Sequence, residues 1–524
     1  MPQPDSTCHV FGRVSVPLPT AAEAAAEDRR AREELGVPER VLMENAGRGA
    51  ALVLHRLYPR GRIVGVAGSG NNGGDLVVML RVLQAWGREV AVIAAGSRPP
   101  DVDLMHGAQL RGAWDVAAED TGAERLLAEA DVVVDGMLGT GSAGPPRGRI
   151  ADWIGRINAA GRPVLALDLP SGVDATTGRV EGVAVRAGTT VTFGWPKLGL
   201  MLHPARQHCG RLLAIEIGFP ESSAASVRAH VITPSWVRPR LRGRAADAHK
   251  GTAGRLLILA GSEGMAGAAA IAGEAALRAG AGLIRIASDP ANRVILQTLI
   301  PEATFLTADA ITEDDAEPMH AIVAGPGLGR GRDVLATLRR VLALMPGKPA
   351  VLDADALNVL ATVEGALRDI ARTRPVVVTP HARELSRLTG AGLDGILRDA
   401  PAAARQAAQR FGCTVVLKGQ PTLIASPDDA LLVNSVGSSD VATAGMGDQL
   451  AGVIGALLAG GADPLDAAAV GLFLSGRAAD LGNRGSSLTP RDVSASLAAA
   501  MAAPGLEESG VGLPFVTFDQ PARW

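Results

Sequence analysis

Residues 65–80 read GVAGSGNNGGDLVVML. An apolar strand closes, a turn dense in glycine and asparagine follows, and an apolar helical run opens around Asp75. Glycines let a backbone approach another group closely, and the first amides of a helix can hold an anion. Read alone, the loop is a tight βα turn whose asparagines accept positive φ, or a phosphate cradle; dinucleotide-type glycine spacing by itself is a weak signal. Either way the stretch is a strand–turn–helix unit, which points to an α/β fold.

The pattern recurs on both sides. RIVGVAG (62–68), EVAVIAA (89–95), DVVVDGML (131–138), PVLALDLP (163–170) and TVTFGW (190–195) are apolar throughout, as strands buried in a parallel sheet must be. Helical runs such as DLVVMLRVLQAWG and IADWIGRINAAG lie between them, so βαβ units follow and a Rossmann-like open sheet is expected. From about Phe219 to His249 a Pro-, Ser- and Arg-rich segment breaks the alternation. It then restarts with GRLLILAG, GLIRIAS, AIVAGPG, PAVLDAD, PVVVTP and CTVVLKG. Two α/β domains are expected, at 1–225 and 226–505, with a loosely ordered tail at 506–524.

Composition narrows the partners. With 51 basic and 54 acidic residues the net charge is -3, so no overall field attracts nucleic acid or an anionic membrane. Three scattered cysteines with no CxxC spacing offer neither a disulfide framework nor a zinc site. The start MPQPDSTCHVFGR lacks the charge and apolar core of a leader, and no apolar run reaches membrane-spanning length. A cytoplasmic protein acting on small molecules, and forming a homo-oligomer, is expected.

Ligands of open parallel sheets gather beyond the carboxyl ends of strands. Asp135 and Asp168 stand at two such ends, and with Ser171 and the amide oxygen of Asn72 they form an oxygen-rich set suited to a hard cation. The plain alternative for each acid is a cap or turn, which is favoured for Asp174. In the second half, Lys250 among glycines, Asp353 and Asp355, His381 and Glu384, and Lys418 and Thr422 share the strand-end location. Turn acids, a helix cap and a hairpin turn explain them equally well one at a time. In ATAGMGDQLAG (442–452), Asp448 follows two glycines at a helix start. It is a first-turn stabiliser, or an acid facing a bound anion.

VLMENAG (41–47), GNNGGD (70–75), VVVDGMLGTG (132–141), ALDLPSGVDATTG (166–178) and TVTFGWPKLGL (190–200) together resemble the YjeF N-terminal domain, the NAD(P)H-hydrate epimerase. HKGTAGRLLILAGS, MAGAAAIAGEAALRAGAGL, AGPGLGR, VLDADALN, VVVTPHARE, VVLKGQPTLI and VATAGMGDQLAG resemble the YjeF C-terminal domain, a ribokinase-like nucleotide-dependent NAD(P)H-hydrate dehydratase. The whole is thus similar to the bifunctional NAD(P)H-hydrate repair enzymes. A ribokinase-like small-molecule kinase, or a nucleotide-sensing derivative, is the alternative.

The resemblance implies epimerisation at C6 of hydrated NADH or NADPH (NADHX, NADPHX), then dehydration with ADP as co-substrate. It implies potassium (K+) at Asn72, Asp135 and Ser171, and epimerase substrate contacts at Asn71, Asn72, Gly73, Gly74, Asp75, Gly139, Thr140, Gly141, Ser142, Ala143, Gly144, Pro145 and Asp168. Asp168 is the candidate acid/base there. In the second domain Ala268, Gly327, His381 and Asp448 would meet the hydrate, and Lys418, Gly419, Gln420, Pro421, Thr422 and Gly447 the nucleotide, with Mg2+ (Mg²⁺) beside its phosphates. Asp448 would take the hydroxyl proton. A helix dipole should depress its pKa until a phosphoryl group arrives. Leu76 departs from the family's glycine, SAGPPRG departs in the loop after GTG, and Ser438 to Val441 depart before the last motif, where Asp440 adds a negative charge.

Overall fold

The apolar runs become strands with both faces buried, and in each of two units these assemble into a predominantly parallel sheet. The computed structural model describes residues 16–96, 104, 110–113, 121–219, 226–241, 243, 246, 253–505 and 509–522. The units comprise residues 1–230 with 507–524, and residues 231–506. Within the linker-like segment 219–249, residues 220–225, 242, 244–245 and 247–249 lie outside the described residues, as does Lys250. Among the described residues no helix is long and apolar enough to cross a membrane.

In the first unit the strands are β1 (Ile63–Ala67), β2 (Val90–Ala94), β3 (Arg111–Ala113), β4 (Val132–Gly136), β5 (Val164–Leu167), β6 (Thr189–Phe193) and β7 (Arg211–Ile215). They pair in parallel in the order β7-β6-β5-β4-β1-β2-β3. The order reverses between β1 and β4, and the crevice at such a switch point is where open sheets bind ligands. Helix α1 (Asn71–Ala85) follows β1 and starts one turn before Asp75, so Asn72, Gly73 and Gly74 lie in its first turn. The reason is steric. A Cβ at Gly73 would sit 2.2 Å from the Gly68 carbonyl oxygen, and one at Gly68 1.9 Å from the Met137 carbonyl oxygen. The glycines close the loops after β1 and β4 onto each other.

The end of the chain is not the loose tail its composition suggests. Val516–Gln520 forms a strand antiparallel to β7 and closes that edge of the sheet. Arg211 holds Asp519 bidentately at 2.8 and 2.6 Å, and Arg206 reaches Gln520 and the Pro521 carbonyl. Val511 and Val516 join the core around Leu54, Leu213 and Ile215. Charge pairing and apolar burial together outweigh the weak strand signal of so short a segment.

In the second unit the strands are β8 (Arg255–Leu259), β9 (Leu283–Ser288), β10 (Thr304–Thr307), β11 (Ala321–Ala324), β12 (Ala350–Leu352), β13 (Val376–Val378), β14 (Thr414–Leu417), β15 (Leu423–Ala425) and β16 (Leu431–Asn434). They pair in the order β16-β15-β14-β13-β12-β11-β8-β9-β10, parallel except for the two antiparallel joins at β15. Helix α2 (Ala266–Arg278) packs against α4 (Met446–Ala459) so closely that a Cβ at Gly452 would meet the Ala272 carbonyl oxygen at 2.2 Å. The small residues of α2 therefore serve helix packing. Between α2 and α4 in sequence, helix α3 (Ala382–Thr389) follows β13.

Ending the chain at residue 506 removes Val511 and Val516 from the first unit's core, about 1.5–3 kcal/mol for each fully buried side chain. Calorimetry of the truncated chain is expected to show a lowered transition for that unit. An unchanged transition would mean the last strand adds nothing to stability.

Candidate active sites

At the switch point of the first unit lies a cavity of about 700 Å³. Asn71, Asn72, Asp75, Gly139, Thr140, Gly141, Ser142 and Asp168 line it, whereas Ala143, Gly144 and Pro145 do not. Gly73 and Gly74 are buried in the helix turn behind it. Leu76, where the family's pattern carries glycine, is fully buried and packs on the β1 and β4 glycines, Gly65 and Gly136, away from this lining.

Asn72 lies in the first turn of α1 and Asp135 near the end of β4, the neighbour of β1 in the sheet. The Asn72 amide nitrogen donates to the carbonyls of Leu138 (2.8 Å) and Leu167 (3.1 Å), which leaves its Oδ1 a buried acceptor with no hydrogen-bond partner among the described residues. Asp135 is wholly buried and accepts from Ser171 Oγ (2.7 Å), Ser171 N (2.8 Å) and Met137 N (3.2 Å). Burial pushes its carboxyl up to about 6, against the pull of those donors. No basic side chain joins this set. An orphaned amide oxygen, a carboxylate and a hydroxyl with a spare lone pair are the donors a hard monovalent cation takes. The residues present fit potassium.

Asp168 belongs to a different cluster from the one its spacing suggests. It sits at φ +62°, and its Oδ1 lies 2.6 Å from the ammonium of Lys197 while Oδ2 accepts from the Thr140 amide at 3.1 Å. Lys197, itself buried, lines the same cavity together with Phe193 and Trp195. None of these three stands among the residues the motifs implicate. A lone cation inside the apolar run TVTFGWPKLGL was the available signal for Lys197. Asp75 also faces the cavity, and burial, followed by the Asp168 and Asp28 charges, holds its carboxyl well above the usual range. Asp174 is the turn residue expected, its Oδ1 accepting from Thr176 and Thr177.

In the second unit the strand-end groups also converge. Asp353, buried at the end of β12, pairs with Lys418 Nζ at 2.8 Å, and a Cβ on Gly447 would lie 3.3 Å from that nitrogen. Lys418 opens the hairpin between β14 and β15, where Thr422 Oγ1 donates to Gly419 O at 3.0 Å across Gln420 and Pro421. Gly327 lies against Ala268, so close that a Cβ would approach that side chain to 2.9 Å. His381 is the N-cap of α3: its Nδ1 accepts from the Glu384 amide, and Glu384 returns a bond to the His381 amide. Its Nδ1 is thus an acceptor, and a ligand contact is left to Nε2. Asp440 is occupied locally, accepting from Ser438 Oγ at 2.7 Å.

Asp448 sits in the first turn of α4 behind the left-handed Gly445 cap. Its carboxylate accepts no hydrogen bond among the described residues, and the Gly447 and Asp448 amides find no acceptor there either. The expectation of a depressed pKa is reversed. Desolvation, with Asp353 and Asp355 nearby, outweighs Lys418 and pushes the carboxyl up to about 7 before any nucleotide arrives. Desolvation pulls Lys418 down, but the charges of Asp353, Glu384 and Asp448 more than offset it and the net shift is upward. Among the described residues no trio of His, Cys, Asp or Glu is placed to cage a metal. Magnesium here fits only as a partner of bound phosphates, its usual mode.

Residues 39–199 match the family described as YjeF-related protein N-terminus, and residues 256–499 the family described as NAD(P)H-hydrate dehydratase. The bifunctional NAD(P)H-hydrate repair enzyme Nnr of Moorella thermoacetica is 38% identical over 88% of this chain and 92% of its own. The enzyme of that name from Escherichia coli is 37% identical over 91% and 92%. Among solved structures, the ADP/ATP-dependent NAD(P)H-hydrate dehydratase of Bacillus subtilis, crystallised with ATP and Mg²⁺, is 33% identical over 52% of this chain and 96% of its own, with a TM-score of 0.47.

Lys418→Met leaves the Asp353 carboxylate buried without its partner and should cost about 3–5 kcal/mol of stability. It also removes the charge that draws the Asp448 carboxyl down, so NMR titration should find that group above about 7. A titration unmoved by the substitution would break the link between the two residues.

Proposed function

The chain belongs to the family of bifunctional NAD(P)H-hydrate repair enzymes, and from that membership we propose how its two sites divide the work. The first unit interconverts the R and S epimers at C6 of hydrated NADH and NADPH. The second dehydrates the S epimer to NAD(P)H while ADP becomes AMP and phosphate.

For dehydration, one observation carries the assignment: a half-buried, unbonded carboxylate at Asp448 beside two unbonded amides at a helix start. Asp448 takes the proton of the C6 hydroxyl. The oxygen attacks the terminal phosphorus of ADP, and AMP leaves. The amides of Gly447 and Asp448, with Lys418, stabilise the charge on the transferred group. Phosphate then departs from C6 with its bonding electrons, a proton leaves C5, and the dihydropyridine ring is restored. The hairpin Lys418 to Thr422 contacts the nucleotide, while Ala268, Gly327 and the Nε2 side of His381 contact the hydrate. Magnesium, carried in on the nucleotide, neutralises its phosphates.

For epimerisation, Asp168 is the acid/base group, since its Oδ2 keeps a lone pair beside the cavity. It removes the hydroxyl proton from C6. The C6–N1 bond opens to an aldehyde, its electrons passing to N1 and the conjugated carboxamide, and the proton returns to N1. Rotation and closure on the other face give the other epimer. Asn72, Asp135 and Ser171 would hold potassium, whose charge would offset that of the buried Asp135 carboxylate.

Asp448→Asn is expected to slow dehydration by at least about a hundredfold, the low end of what a general base contributes, with nucleotide binding retained. In the parent, the carboxylate form is present above about pH 7, so dehydration should fall roughly tenfold per unit below it and level off above it. A rate indifferent to pH between about 5 and 8, or near-normal turnover of the variant, defeats the assignment. Replacing potassium with choline should slow epimerisation of the parent and leave Asn72→Ala, slow in both salts, unaffected. A parent equally active in both salts would remove the ion from the site.

A further inference from the structure

We infer that Lys197 is a positioning residue of the epimerase site, holding the Asp168 carboxylate turned so that one oxygen keeps a lone pair for the substrate. The inference rests on the acid/base role given to Asp168. An ammonium has three N–H groups. Those of Lys197 are spoken for, by Asp168 Oδ1 at 2.6 Å, Phe193 O at 2.9 Å and Thr192 Oγ1 at 3.0 Å. Lys197 therefore has no proton left to offer a bound hydrate and acts through Asp168.

The partner's geometry agrees. Asp168 stands in the left-handed region at φ +62°, which a residue with a Cβ adopts only where its surroundings hold it. The holding groups are the Lys197 ammonium on Oδ1 and the Thr140 amide on Oδ2. Thr192 Oγ1 adds a long contact of 3.4 Å on Oδ1. With Oδ1 saturated, the remaining lone pair of Oδ2 opens beside Gly139 and Thr140, both of which line the cavity. Lys197 is fixed in turn, because the next residue, Leu198, donates its amide to the Pro19 carbonyl at 2.9 Å.

The full chain is the test material. Approach to epimer equilibrium from pure R hydrate without nucleotide is followed chromatographically, above the spontaneous rate. Thermal unfolding identifies the variants that fold. Lys197→Met should lower kcat roughly ten- to a hundredfold, as loss of an orienting partner does. KM should stay within about threefold, since uniform binding is untouched. Lys197→Gln keeps two N–H donors without the charge, should fall between, and stands in if the methionine variant fails to fold. Combined with Asp168→Asn, Lys197→Met should cause no further loss, because a residue acting through another has nothing left to act on. Parental kcat in either folded variant, a loss confined to KM, or a further loss in the double variant overturns the inference. An active Asp168→Asn chain instead overturns the role of Asp168 itself.

Discussion

A carboxylate buried where a parallel strand ends loses its water, and it remains an anion there only if a cation or several donors replace that water. Both units meet this constraint with a lysine brought from a later strand end: Lys197 against Asp168, and Lys418 against Asp353. The two pairs differ in what they leave over. In the first the lysine is spent entirely, and the remaining lone pair belongs to the acid. In the second the lysine sits beside the start of α4, where its charge is shared with Asp448. One pair orients a carboxylate, while the other prepares a place for a phosphoryl group beside one.

These arrangements depend on loops that approach one another far more closely than side chains allow. A Cβ on Gly325 would stand 1.8 Å from the Asp353 carbonyl oxygen, much as one on Gly68 would meet that of Met137. In each case the loop after one strand is pressed onto the loop after its neighbour in the sheet. The contact fixes the height of the acid above the sheet edge. The Asn72 amide adds to this in the first unit by bridging the carbonyls after β4 and at the end of β5.

Much of this was legible in the sequence, because parallel strands buried on two faces are uniformly apolar and their ends carry the polar residues. Asp135 and Ser171 bond each other at neighbouring strand ends. Other features escaped for identifiable reasons. The helix after β1 begins at Asn71 because close packing of Gly68 and Gly73 rewards it, a tertiary effect invisible in local pattern. The dipole argument misjudged Asp448 because neighbouring acids and burial, distant in sequence, outweigh a helix terminus. His381 takes the cap reading, with Nδ1 occupied by the Glu384 amide. Lys197 passed unnoticed because a single lysine is nearly always a surface charge.

The strand Val516–Gln520 gives the order of synthesis a physical meaning. Its partner β7 emerges first, and Arg211 waits for Asp519, 308 positions later in the chain. At ordinary translation speeds that is roughly fifteen to sixty seconds, during which the nascent first unit carries an open sheet edge. A ribosome that stalls late, or a protease that trims the end, leaves that edge permanently bare. The first unit is thus completed only after the whole of the second has been synthesised.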